Sequence, residues 1–281
     1  MSSAFDTAIA VQPGAAGTYS VTVDPGWSIG DRPNGGYLMA LVLRAAVESS
    51  PHPDPLAAST LFLRPPSFGP AIVEVEELRV GRSVAMHRAR LVEDGSPVLE
   101  MLVTSGRLPT GEPEYEYGPP PELPPLDECP RGRPVAPDGT HIGLFDHVEV
   151  RYDARTVGWA TNQPGPHPPM IRAWARIVDA PTDPYGVVVV ADALPPSVFA
   201  LGRIGWAPTV EMTTLLRAQP AEGWLRVAIR TTLLHGGWFD EEVVIWDDTD
   251  HVVCQARQLA MTNRGSNRAR KEAPRAAADD R

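Results

Sequence analysis

The chain has 281 residues, 43% of them hydrophobic, and a net charge of -10, which is enough apolar material for one large domain or two of ordinary size. The acidic balance argues against a nucleic-acid surface, because neutralising phosphates needs a basic excess. Two cysteines, Cys129 and Cys254, are too few for a disulfide framework or a metal cluster; with no basic-then-apolar leader and no run near ~18 apolar residues, a cytoplasmic protein without membrane insertion is expected.

Residues 18–23, TYSVTV, alternate with period two and predict a strand. Turn residues follow at 31–36, DRPNGG, ahead of residues 37–49, which favour helix throughout and are apolar on nearly every face. A helix of that kind must be wrapped by other structure. Strands are expected over 58–63, 71–80, 83–93 and 97–105, with Gly81-Arg82 dividing the second from the third and Asp94-Gly95 turning into the fourth. Residues 109–137, with PPPELPPL at their centre, read as a stiff linker barred from a sheet interior. Beyond it, strands are expected over 147–152, 170–178, 209–216, 224–233, 238–246 and 252–262, and residues 265–281 read as a charged, Ala-rich disordered tail.

One stretch stands apart. Residues 187–201, VVVVADALPPSVFAL, carry a single ionisable group, Asp192. An ionised carboxylate in such company is costly unless polar groups meet it. The plainer alternative is a helix N-cap, with Pro195 and Pro196 in the first turn of a restarting helix. Pro195 has no N–H, however, which would leave Leu194 to donate.

The two halves repeat. Setting TLFLRPP from Thr60 on TTLLRAQ from Thr213 places Arg64 on Arg217, an offset of 217 − 64 = 153. To within two residues the same offset lays Gly81-Arg82-Ser83 on Gly236-Gly237, Asp94-Gly95 on Thr249-Asp250, and the helix from Tyr37 on the stretch from Val187 or Val190. Each half is then a strand, an apolar helix and an antiparallel meander. The expectation is an α+β fold of the double-hotdog kind, two tandem hotdog domains each with a long central helix wrapped by a curved antiparallel sheet. Its boundaries would be 1–108, a Pro-rich linker at 109–140, 141–264 with the active site, and the tail at 265–281. Subtracting 153 from Asp192, Thr209 and Gln258 lands on Met39, Leu56 and Ser105. A duplicated scaffold has no need of that asymmetry, whereas chemistry kept in one copy does.

These residues resemble the type II acyl-CoA thioesterases. The likeness lies in Asn34-Gly35-Gly36 at the helix start, Phe62-Leu63-Arg64-Pro65, Gly81-Arg82-Ser83, MIRAWAR from Met170, Ala191-Asp192 with Pro196 soon after, Thr209-Val210-Glu211, and Gln258 within residues 253–261. It covers the chain except the linker, the tail and the first ~15 residues. The resemblance implies hydrolysis of fatty acyl-CoA by a water held among Asp192, Thr209 and Gln258, with no cofactor and no metal, in a homo-oligomer. Two features depart from the family: the segment between Asp192 and Thr209 is short, and Glu211 stands where Asp is usual. Thr213 and Thr214 are alternatives to Thr209.

The chemistry suits the residue types. Asp192 can take or orient a water proton, and the Gln258 amide can both accept and donate. Asn34, Gly35 and Gly36 can present helix-start N–H groups to a carbonyl or anion, and the Gly236-Gly237 turn can admit a pantetheine arm. Each also has a plainer reading, as a sheet amide, a strand start or a turn. The seven histidines lack metal spacing, and the Gly-x-Ser at Gly81 lacks the strand-to-helix setting of a nucleophile elbow. The competing functions are a non-catalytic acyl-CoA or lipid-binding double-hotdog protein and a hotdog hydratase or dehydratase. The latter needs a His paired with an Asp, and no His occupies a suitable helix-plus-turn position.

Overall fold

A helix without a polar face persists in water only when protein surrounds it, and the fold is arranged around that demand. In the computed structural model, which describes residues 2–116, 118–136, 139–161 and 168–262, helix α1 (Gly35–Glu48) buries every residue from Gly36 to Val47 except Arg44. Its half of the sheet consists of β1 (Thr18–Val23), β2 (Asp54–Phe62), β3 (Gly69–Val80), β4 (Ala85–Glu93) and β5 (Ser96–Gly106). The second half has β6 (Val148–Tyr152), β7 (Met170–Ile177), helix α2 (Pro184–Ala191), β8 (Thr209–Leu216), β9 (Leu225–Arg230), β10 (Trp238–Trp246) and β11 (Val252–Met261). The expected tail, 265–281, lies outside the described residues.

Thirteen of the described strands form one antiparallel sheet, in the order β1-β3-β4-β5-β2-β8-β11-β10-β9-β7-β6, with a two-residue strand (Gln12–Pro13) outside β1 and another (Leu234–His235) beside β10, while Ser28–Ile29 and Arg32–Pro33 pair separately. Outward from the seam each half repeats the same strand order, and the halves meet edge to edge. β2 pairs with β8, Met212 opposite Thr60 and Thr214 opposite Ala58, so two edges that would otherwise be open are consumed at the seam. Helix α1 packs on β2, β4 and β5, α2 packs on β7, β10 and β11, and the helices pack on each other. The Arg44 guanidinium lies 5.3 Å from the centre of the Tyr185 ring, so α1's one exposed interior residue also reaches the second half.

Three expectations need correcting. The second helix is not long: it spans eight residues, all buried, and ends at Ala191, because Pro195 and Pro196 cannot continue it and the chain restarts as a 3-10 turn at Ser197–Leu201. The 153-residue offset does not carry through the helices either, since their starts differ by 184 − 35 = 149. The counterpart of Asp192 is then Leu43 rather than Met39, although both are fully buried and apolar. Finally, the Pro-rich segment is not held off as a spacer but hydrogen-bonds to the second half. The Pro124 carbonyl accepts from Trp174 Nε1 at 3.0 Å, and Tyr152 N donates to the Pro130 carbonyl at 2.9 Å.

Strands β1, β8 and β10 coincide with the runs predicted from alternation. β9 is shorter than its predicted run and stops at Arg230, after which Thr231 turns inward. Because Leu41 is fully buried on the wrapped helix, Leu41→Ala is expected to cost about 2–5 kcal/mol of stability. Urea unfolding should show this as a lower midpoint with little change in slope.

Candidate active site

Asp192 caps the end of the helix that precedes it, α2, and not the start of a restarting helix, since the next turn begins only at Ser197 with Pro196 before it. The N-cap is Asp183, whose Oδ1 accepts from Gly186 N at 2.6 Å; Asp192 is the C-cap, its own N–H donating back to Val189 and Val190 carbonyls. From there its carboxylate crosses to the other half of the molecule. Oδ2 accepts from Gly36 N at 2.9 Å and from Asn34 Nδ2 at 3.1 Å. Asn34, 2% exposed, also donates Nδ2 to the Asp192 carbonyl at 3.0 Å and caps α1 through Oδ1, which accepts from Tyr37 N at 2.9 Å. The N–H groups expected to face a substrate therefore meet a carboxylate at the positive end of α1.

This approach requires glycine. A Cβ on Gly35 would come within 2.8 Å of Asp192 Oδ2, and one on Gly36 within 2.9 Å of both Asp192 Cβ and the Val189 carbonyl oxygen. Asp192 keeps part of its surface open to solvent, yet burial pushes its pKa up to about 6; the bonds from Gly36, Asn34 and Gly35 pull the other way without cancelling it.

A second polar cluster lies on the inner face of the sheet. The Thr209 hydroxyl donates to Gln258 Oε1 at 2.5 Å. Gln258 Nε2 donates to Glu241 Oε2 at 2.6 Å. Glu241 Oε1 accepts from Ser197 N at 2.7 Å and Ser197 Oγ at 2.8 Å, and Ser197 Oγ lies 2.9 Å from Thr231 Oγ1. Gln258, Glu241, Ser197 and Thr231 are all buried. Burial pushes the Glu241 pKa up to about 7, its hydrogen bonds lower it, and the nearby negative charge of Asp192 adds to the rise.

The structure thus joins Thr209 to Gln258 directly and leaves Asp192 in a separate cluster, coupled to theirs by its charge on Glu241. Of the alternative threonines, Thr213 pairs with Ser59 Oγ at 3.3 Å on the exposed side of the seam, and the Thr214 hydroxyl is buried without a partner. Gly236 and Gly237 form the turn into β10 at φ 61° and 89°, which favour glycine. The Gly237 carbonyl accepts from Thr262 N at 2.8 Å, so this turn lies beside the C-terminal end of β11.

Glu241 and Ser197 escaped the sequence reading. A signal for Glu241 was present: in WFDEEVVIW the period-two pattern puts it on one face with Phe239, Val243 and Ile245, all buried. Among the described residues no group of three or more His, Cys, Asp or Glu side chains is placed to hold a metal. Both cysteines are buried, and burial raises the Cys254 thiol to about 12, which makes it a poor nucleophile. No helix among the described residues is long and apolar enough to cross a membrane.

Comparison with known proteins gives a consistent result over both halves of the chain. Residues 23–106 match the family model of the acyl-CoA thioesterase N-terminal domain, and residues 120–262 that of the acyl-CoA thioesterase C-terminal domain. An uncharacterized protein of Mycobacterium tuberculosis is 31% identical over 93% of this chain and 99% of its own. A crystal structure from Thermobifida fusca, provisionally described as a thioesterase II, is 34% identical with a TM-score of 0.85 over 93% of this chain and 98% of that one. A hot dog fold protein of unknown function from Alicyclobacillus acidocaldarius has a TM-score of 0.80 at 23% identity, over 94% of this chain and 99% of that one, a likeness of fold alone.

Two outcomes follow from the geometry around Asp192. A methyl at position 36 meets backbone rather than a yielding side chain, so Gly36→Ala is expected to lower stability by about 1–3 kcal/mol, read as a reduced Tm. Asp192, with its folded pKa raised from 3.8 to about 6, stabilises the fold fully below about pH 4 and loses that contribution as pH rises through about 6. Asp192→Asn should therefore flatten Tm against pH across that window and raise stability at pH 8, by up to about 3 kcal/mol, read as a higher Tm.

Proposed function

Because the chain belongs to the type II acyl-CoA thioesterase family, we propose that it hydrolyses fatty acyl-CoA to free acid and CoA without cofactor or metal, on a scaffold of two hotdogs in tandem. The observation that carries this reading is Asp192: a carboxylate lodged against the start of α1, still touching solvent, with its pKa raised to about 6. A base poised near neutrality is what general-base attack by water asks for. Its counterpart in the first half is apolar, so the fold does not call for it.

In this mechanism a water lies between Asp192 and the Thr209–Gln258 pair. Asp192 Oδ1, which takes neither of the bonds from Gly36 and Asn34, is the oxygen that receives the water proton as the new C–O bond forms. The tetrahedral intermediate then collapses, the C–S bond breaks, and the CoA thiolate leaves with the proton from Asp192 or from solvent. A thiolate is a good leaving group, so one carboxylate and a held water suffice. Asn34, Gly35 and Gly36 hold the base, and the Gly236–Gly237 turn flanks the pantetheine arm. The protein is read as a cytoplasmic homo-oligomer.

Release of free thiol from a panel of acyl-CoA substrates tests the activity, and binding without thiol release would instead indicate an acyl-CoA carrier. Asp192→Asn is expected to lower kcat by roughly 10²–10⁴-fold, with Gln258→Ala and Thr209→Val losing less. Since the base must be unprotonated, the rate should rise with pH through about 6 to 7, a limb belonging to Asp192 and Glu241 as a pair.

A further inference from the structure

We propose that Glu241 is a positioning residue that fixes the direction of the Gln258 amide and, through it, the direction in which the Thr209 hydroxyl points its proton. The proposal rests on the thioesterase reading for its consequence but on hydrogen-bond geometry for its substance. Glu241, 3% exposed, receives three donors: Ser197 N and Oγ on Oε1, and Gln258 Nε2 on Oε2. Three donors suit an ionised carboxylate, which can only accept.

The two ends of a glutamine amide have nearly the same shape, and a threonine hydroxyl can serve either of them. Thr209 alone therefore cannot orient Gln258. An ionised Glu241 can, because only Nε2 has hydrogens to give it. Oε1 then faces Thr209 and the Thr209 hydroxyl must donate, the arrangement observed at 2.5 Å. The relay has one polarity, from Thr209 through Gln258 to Glu241. Thr209 Oγ1 is left as an acceptor toward the substrate side. A water there gives one hydrogen to Thr209 and the other to Asp192, which leaves a lone pair for the thioester carbon.

Protonated Glu241 would reverse the chain. It would donate to the amide oxygen, the amide would turn over, and the Thr209 proton would point outward at the water. The groups acting on Glu241 are Ser197, itself bonded to Thr231, Gln258 on β11, and Asp192 at the end of α2, whose negative charge favours the protonated form.

The test is Glu241→Gln in the full-length protein. Ser197 presents two donors to one side of the residue, so the new amide must turn its oxygen there and its NH₂ toward Gln258, holding the relay reversed. The expected result is a kcat lower by roughly 10- to 100-fold with KM little changed, and an acid limb moved to lower pH because Asp192 loses a like-charged neighbour. Independently of activity, the Gln258 side-chain amide resonances in ¹⁵N-labelled protein should move with pH in the parent and stay fixed, at a different position, in E241Q. Coincident amide resonances in the two proteins would overturn the proposal whatever the kinetics. If the parent releases no thiol from any acyl-CoA, the thioesterase reading falls while the resonances still decide the role of Glu241. Should E241Q fail to fold, Ser197→Ala serves: loss of one donor should raise the pH at which the parent resonances move, and an unchanged midpoint would sink the idea.

Discussion

The interaction on which the arrangement depends is a carboxylate from the second half of the chain held by the helix start of the first. Asp192 Oδ2 takes its bonds from Gly36 N and Asn34 Nδ2, 156 and 158 residues away in sequence. An aspartate at a helix N-terminus is favoured by the orphan N–H groups and the dipole, so the site would stabilise ionised Asp192 strongly if it were wet. Burial outweighs that, leaving a carboxylate whose pKa is raised rather than lowered. Holding the group firmly and tuning it upward come from the same packing.

Everything around this contact serves the close approach of two helix ends. The seam between β2 and β8 sets the halves side by side. Gly35 and Gly36 remove the side chains that would collide with Asp192 and the Val188 and Val189 carbonyls. A second tie comes from Trp27, stacked on Tyr37 of α1 at 5.5 Å and on His147, just before β6, at 4.6 Å. The two halves are thus one packed body as well as a repeat.

Two buried polar sites, one in each half, contrast in kind. In the first half, His87 is 1% exposed with neither ring nitrogen paired, and burial lowers its pKa, so it stays neutral in the core. In the second half, Thr209, Gln258, Glu241, Ser197 and Thr231 satisfy one another in a continuous chain. A fully satisfied buried network is rigid and directional, whereas isolated neutral groups are only tolerated. The placement of a carboxylate in that network, within reach of the charge on Asp192, gives the second half electrostatics that the first half lacks.

Periodicity and punctuation in the sequence determined most of the strands, the wrapped first helix, the duplicated plan and the suspicion attached to Asp192. Alternation marked β1, β8 and β10 to the residue, and an apolar helix with no polar face required a wrapping sheet. Thr209 and Gln258 were named through resemblance as holders of a common water, without the direct bond between them, and Glu241 was legible in principle as a charge on the apolar side of an alternating strand. Tertiary structure alone decided where α2 stops, because a proline pair tells that a helix ends without telling which residue caps it. It also decided what meets Asp192. Hydrogen bonds join atoms that are near in space, and no local pattern encodes a partner some 156 residues away in the other half.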